Sequence, residues 1–215
     1  MSLVVAIKEN GKVYVGADSQ VTRGGTRSTL KNPNNYKIWQ VGNTPACLMA
    51  HVGNVRDANI VRLMDDLVTD YDVYQNRVGY RYVVKRVVPE IVKALREAGY
   101  LKDDKYLEHT ESRYLFIYKD QLFLINTDGC VLEIDDYAAI GSGEDQAIGS
   151  LLSSEGEDPE ARIIKAIKAG AASDIYVDYP IILTDSESMK FKVITDRFEE
   201  DIEKPAGKAE EANHQ

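Results

Sequence analysis

Four residues in the first quarter of the chain have the types and spacing for acyl-transfer chemistry: Ser2, Asp18, Lys37 and Gly53. A methionine aminopeptidase removes Met1 when the next residue is small, which would make Ser2 the N-terminus. Ser2 would then carry a hydroxyl nucleophile and a free α-amine. That amine titrates near ~8, so it accepts a proton around neutral pH. One residue then supplies both nucleophile and general base. Alone, Ser2 is more simply an easily processed second residue. Asp18, in Gly16-Ala17-Asp18-Ser19, ends a strand and is placed to lie under the nucleophile and orient a lysine; a lone acid there is more often a turn residue. Lys37 heads an apolar strand. Pointing inward beside a hydroxyl, it would lower the hydroxyl's pKa and stabilise its anion. Lys31, in a polar loop, is a rival. Gly53 stands between a strand and a helix, where a backbone N–H is a natural oxyanion donor or the glycine merely serves the turn.

The elements that must position these residues can be read from the pattern. Residues 3–7 are a short apolar run suited to a buried strand. Asn10-Gly11 is a tight-turn signal, and 13–17 returns as the partner strand. The polar, Gly- and Asn-rich stretch 19–35 reads as a loop. Strands follow at 36–41 and 46–51. After Gly53 the period changes, and Val55, Ala58, Ile60, Val61 and Met64 suit one side of a helix over 55–68. A second helical stretch covers 78–98, with Pro89 predicting a kink. Residues 100–112 read as a loop. Strands resume at Arg113–Tyr118, 121–126, 130–134 and 138–140. Helices over Glu144–Ser153 and 159–171 follow, the second with Asp158 as N-cap and Pro159 in its first turn. Strands at 181–184 and 190–194 are expected to close a domain spanning 1–195, and the acidic stretch 196–215 reads as a mobile tail. Strands, helices, strands, helices, strands: this order suits an α+β fold, two antiparallel sheets covered by two helical layers in an αββα sandwich.

Composition narrows the chemistry. A net charge of −9 argues against a nucleic-acid partner, since phosphate binding wants a basic face. No apolar run is long enough to span a bilayer. Lys8, Glu9 and Asn10 interrupt the opening too early for a signal peptide, so a cytoplasmic location is expected. His51, His109 and His214 have no metal-ligand spacing, and no metal or cofactor is expected. With so few histidines there is little room for a Ser/His/Asp triad. Cys47 and Cys130 read as buried structural thiols. Gly141-Ser142-Gly143 fails as a dinucleotide loop, because Gln146 stands where a third glycine belongs.

Taken in order, Ser2-Leu3-Val4-Val5-Ala6-Ile7, Asn10-Gly11-Lys12-Val13, Gly16-Ala17-Asp18-Ser19 and Thr22 resemble the opening of proteasome β-type subunits, HslV-like members above all. Ala139-Ile140-Gly141-Ser142-Gly143, the helix after it and Asp174-Ile175-Tyr176 resemble the second half of that family of N-terminal nucleophile hydrolases. The resemblance spans roughly residues 2–194. It implies that Ser2 is the nucleophile, that Asp18 and Lys37 are the catalytic acid and lysine, and that Gly53 gives the oxyanion N–H. It sets Ser142 near the terminal amine with Asp174 as its acidic partner. Thr22 would pair its backbone with an extended substrate, and Val21, His51 and Val55 would line the pocket for the residue before the cut bond. Serine stands where the family has threonine, which leaves the hydroxyl freer to rotate and predicts a slower enzyme. The loop before Lys37 is longer than in the HslV pattern, and Met1 removal alone would suffice for activation. The resemblance implies peptide or unfolded-protein substrates, a homo-oligomeric ring and an ATP-dependent unfoldase partner. A small-amide amidase and a non-catalytic assembly subunit are the alternatives.

Overall fold

The computed structural model describes residues 2–99, 102–104 and 107–195; Met1 and the expected tail at 196–215 lie outside them. Strand β1 (Leu3–Glu9) is followed by Asn10 and Gly11, both at positive φ, and the chain returns as β2 (Lys12–Ala17). Positive φ at both turn positions matches the twist of a tight hairpin.

Where the sequence suggests a loop, the chain instead makes a hairpin of β3 (Gln20–Arg23) and β4 (Thr26–Thr29), turned by Gly24 and Gly25 at positive φ. All of β4 is exposed, so no apolar alternation marks it. Strands β5 (Ile38–Gln40) and β6 (Cys47–Val52) lead into helix α1 (Val55–Arg62). This helix is shorter than its apolar period predicts. Leu63 is exposed, and the chain turns through Asp65 and Asp66, poor helix formers, to bury the adjacent Leu67 and Val68.

Helix α2 (Asp70–Tyr74) precedes a long helical stretch: α3 (Tyr80–Tyr82), a π turn over Val83–Val87, and α4 (Val88–Glu97). The Val88 N–H reaches back to Val83 O in this wider turn. It falls just before Pro89, which has no N–H to give and whose ring crowds the preceding turn. Part of the expected loop at 100–112 forms a ribbon of β7 (Lys102–Asp104) and β8 (Leu107–His109). Strands β9 (Arg113–Tyr118), β10 (Gln121–Ile125), β11 (Val131–Ile134) and β12 (Tyr137–Gly141) follow. Helices α5 (Glu144–Ser153) and α6 (Pro159–Ser173), then β13 (Ile181–Asp185) and β14 (Lys192–Ile194), complete the described chain. The Asp158 side chain caps α6 through the Ala161 N–H. Cys47 is buried, but Cys130 is exposed in the turn before β11, contrary to the sequence reading.

Two five-stranded sheets result, in the orders β12-β1-β2-β13-β14 and β11-β10-β9-β6-β5. One apolar cluster lies between them, with Val4, Ala6 and Val15 facing Leu48, Ala50, Leu115 and Ile117. A second joins the outer face of β6, β9 and β10 to α1 and α4. A third joins the outer face of β1 and β13 to α5 and α6 through Leu3, Val5, Ile163 and Ile167. These three cores define the four-layer αββα sandwich.

Candidate active site

Strand register brings the singled-out residues to one end of both sheets. In the first sheet Leu3 pairs with Gly141 and Val4 with Ala17. Continuing those ladders places Asp18 and Ser142 on either side of the start of β1. In the second sheet Ile38 pairs with Ala50 and Val52 with Arg113, which places Lys37 beside His51 and Gly53 beside Ser112.

Asp18 is fully buried and anchors the start of β1. Its Oδ1 accepts the Leu3 N–H at 2.8 Å and Lys37 Nζ at 2.6 Å. Its Oδ2 accepts the N–H groups of Gln20 at 3.0 Å and Asp178 at 3.4 Å. The Asp18 N–H donates to Leu3 O. The peptide following Ser2 is therefore clamped to this carboxylate. Lys37 Nζ also donates to Gln20 O at 2.7 Å. Burial pulls the Lys37 pKa below the usual lysine value, with the Asp18 charge pulling the other way. On the other side, the Ser142 N–H donates to Ser2 O at 2.9 Å. Gly141 has φ 126°, and a Cβ there would come within 1.9 Å of Ser2 O, so only glycine permits this approach.

Ser2 lies where two clefts meet. The first is lined by Ser2, Val21, Thr22, Leu30, Asn35, Lys37, His51, Gly53, Val55 and Ala58. The second is lined by Ser2, Val52, Gly53, Asn54, Glu111, Arg113, Thr127, Gly141 and Ser142. Gly53 borders both, and having no side chain it presents main chain to them. Its φ of 125° suits glycine, and a Cβ would meet Glu111 O at 2.4 Å. Next to it, Asn54 caps α1 by accepting the Arg56 N–H.

Of the residues the sequence singles out, Ser2, Val21, Thr22, Lys37, His51, Gly53, Val55 and Ser142 line these clefts, and Asp18 sits beneath. Asp174 lines neither. It ends α6, where Oδ1 accepts the Tyr176 N–H at 2.9 Å and Oδ2 is buried without a hydrogen-bond partner among the described residues. Lys31, the rival lysine, is absent from both linings. Sequence reasoning misses Ser112, Leu30, Asn35 and Arg113. Ser112 is fully buried, with its Oγ 3.0 Å from His51 Nε2 and donating to Asp57 Oδ2 at 2.7 Å. It lies 55 residues from Asp57, at a strand start, with no local pattern to mark it.

Two sheets between two helical layers, with Ser2 at the mouth of an interior strand over a buried Asp–Lys pair, define the proteasome-type N-terminal nucleophile hydrolase fold. Residues 2–175 match the family described as Proteasome subunit, and the chain belongs to that family. The ATP-dependent protease subunit HslV of Borrelia duttonii (strain Ly) is 31% identical over 188 residues, covering 84% of this chain and 94% of that one. Among solved structures, Thiobacillus denitrificans BPH in complex with epoxomicin superposes with a TM-score of 0.64 at 22% identity, covering 86% of this chain and 98% of that one. The eukaryotic HslV of Trypanosoma brucei gives a TM-score of 0.62 at 19% identity, with 85% and 98% covered. Among the described residues no helix is long and apolar enough to cross a membrane.

Proposed function

We propose that the chain is a peptidase subunit that uses Ser2, exposed by removal of Met1, as its nucleophile. The observation that carries this is the clamp of Asp18 on both the Leu3 N–H and Lys37 Nζ, which fixes the nucleophilic residue beside a buried ammonium. The Ser2 hydroxyl attacks the peptide carbonyl, and its own α-amine takes the proton. The Gly53 N–H holds the oxyanion. The amine then delivers its proton to the leaving nitrogen, and water cleaves the acyl-enzyme. Lys37 favours the attacking alkoxide electrostatically, and Asp18 keeps Lys37 in place. Ser142 and Asp174 serve the amine side of the site.

Clefts on both sides of Ser2 favour an extended peptide over a small amide. The first cleft takes the side chain before the cut bond, against Val21, His51 and Val55, while the β3 main chain at Thr22 pairs with the peptide. The similarity to HslV subunits supports a homo-oligomeric ring in the cytoplasm, fed with unfolded protein by an ATP-dependent unfoldase. The test is hydrolysis of fluorogenic peptides by protein purified without an N-terminal tag. The wild type is expected to cleave and Ser2→Ala to lose all turnover. Equal turnover in Ser2→Ala would overturn the assignment, and retained Met1 with no turnover would favour a non-catalytic assembly subunit.

A further inference from the structure

Beneath the Gly53 turn lies a buried polar cluster of His51, Asp57 and Ser112, of which the proposed function uses only His51, as a wall of the first cleft. The Ser112 hydroxyl is its hub. It donates to Asp57 Oδ2 at 2.7 Å, lies 3.0 Å from His51 Nε2, and accepts the Asn54 N–H at 3.2 Å. A serine hydroxyl has one proton to give and two lone pairs. With its proton on Asp57, both lone pairs are filled only if His51 carries its proton on Nε2. Burial, with Lys37 and Arg62 adding to it, pushes the His51 pKa down to about 3, so the ring is neutral and can hold that tautomer.

The residue types suggest a triad, but the order forbids one. Asp57 reaches the hydroxyl and not the imidazole, and Ser112 is fully buried, beyond reach of a substrate carbonyl. What the cluster touches is the turn. Ser112 Oγ holds the Asn54 N–H, and a Cβ on Gly53 would lie 2.8 Å from the same oxygen. Ser112 also hydrogen-bonds Thr110 through its own main chain, which fixes the hub.

We propose that Ser112, held by Asp57 and His51, is a positioning residue that fixes the Gly53–Asn54 main chain in the orientation that presents the Gly53 N–H to the cleft beside Ser2. Its catalytic consequence rests on the peptidase reading; its structural half does not. Losing the hydroxyl would leave the Asn54 N–H, on an exposed residue, to water or another acceptor, and the turn would relax accordingly.

The experiment compares wild type, Ser112→Ala, Ser112→Thr and Asp57→Asn by amide hydrogen exchange and by steady-state kinetics on a fluorogenic peptide. In Ser112→Ala, protection of the Asn54 amide is expected to fall roughly fivefold to tenfold, the loss of one hydrogen bond. Protection across β1 and β12 stays as in wild type. The kcat is expected to fall about tenfold to a hundredfold with KM within about twofold, since a misplaced donor costs the transition state and not ground-state binding. Ser112→Thr, which keeps a hydroxyl, restores most of both. Asp57→Asn, which keeps an acceptor, gives an intermediate loss, and it carries the test if Ser112→Ala does not fold. Unchanged Asn54 exchange in Ser112→Ala, or in Asp57→Asn in that case, overturns the proposal whatever the activity. Faster exchange with unchanged kcat in an active enzyme overturns its catalytic half. A wild type with no turnover refutes the peptidase reading, and the exchange data still decide the positioning.

Discussion

At the scale of single residues, the site depends on charges held away from water. Asp18 has no exposed surface and Lys37 almost none, so each needs the other. Breaking such a pair by removing one charge costs about 3–5 kcal/mol, because the survivor stays buried and uncompensated. Asp18→Asn should therefore lower the melting temperature as well as the activity, measured by thermal unfolding beside peptide hydrolysis. Activity loss with an unshifted melting temperature would mean that the pair is not the anchor described. His51 makes a second residue-scale prediction. Its pKa is about 3 in the fold against 6.5 for the free side chain, with burial the leading cause. The unfolded chain takes up a proton below 6.5 that the folded chain refuses until about 3, so the stability it contributes is full above 6.5 and lost as pH falls through that window. A His51→Phe variant removes that proton uptake. Its stability deficit relative to wild type should shrink by a few kcal/mol between neutral pH and pH ~4, read from urea unfolding across pH.

At the scale of elements, the site follows from register. The strands β1, β2 and β12 end together at Ser2, Asp18 and Ser142, and β5, β6 and β9 end together at Lys37, Gly53 and Ser112. A slip of one residue in any pair would turn each side chain to the opposite face. Two glycines hold these ends. Gly141→Ala forces a Cβ to 1.9 Å from Ser2 O, and Gly53→Ala to 2.4 Å from Glu111 O, both backbone contacts with nothing flexible to yield. Either substitution is expected to cut turnover by at least about tenfold, since a displaced catalytic group loses that much or more; normal kinetics in both would contradict the geometry. Much of this scale was legible in the sequence. Asn10-Gly11 announces the first hairpin, and the capped start at Asp158-Pro159 announces α6. The hairpin of β3 and β4 was not legible, because its outer strand buries nothing and carries no alternation. The early end of α1 was hidden because Leu67 and Val68 continue an apolar supply while packing out of helical phase. Asp18 and Lys37 were legible as residues, but that one carboxylate also clamps the Leu3 N–H depends on strand pairing. Ser112 had no signal at all, since its meaning comes from distant partners.

At the scale of the whole molecule, several large apolar side chains stand exposed. Leu63, Tyr74 and Ile175 are each more than three-quarters exposed, which fits a subunit that is covered on assembly. Native mass spectrometry is expected to show a multi-subunit ring. A monomer would place the site in open solvent and favour the small-amide amidase.

The central claim is that Ser2 carries both the nucleophilic hydroxyl and the free amine. A peptide α′,β′-epoxyketone tests both groups together, because the hydroxyl adds to the ketone and the amine opens the epoxide to close one ring. The measurement is intact mass and peptide mapping after incubation with such a compound. The account predicts a protein lacking Met1, increased by the full mass of one inhibitor, with the adduct on Ser2 and none in Ser2→Ala. A protein that keeps Met1, or that loses it and forms no adduct at Ser2, would contradict the account.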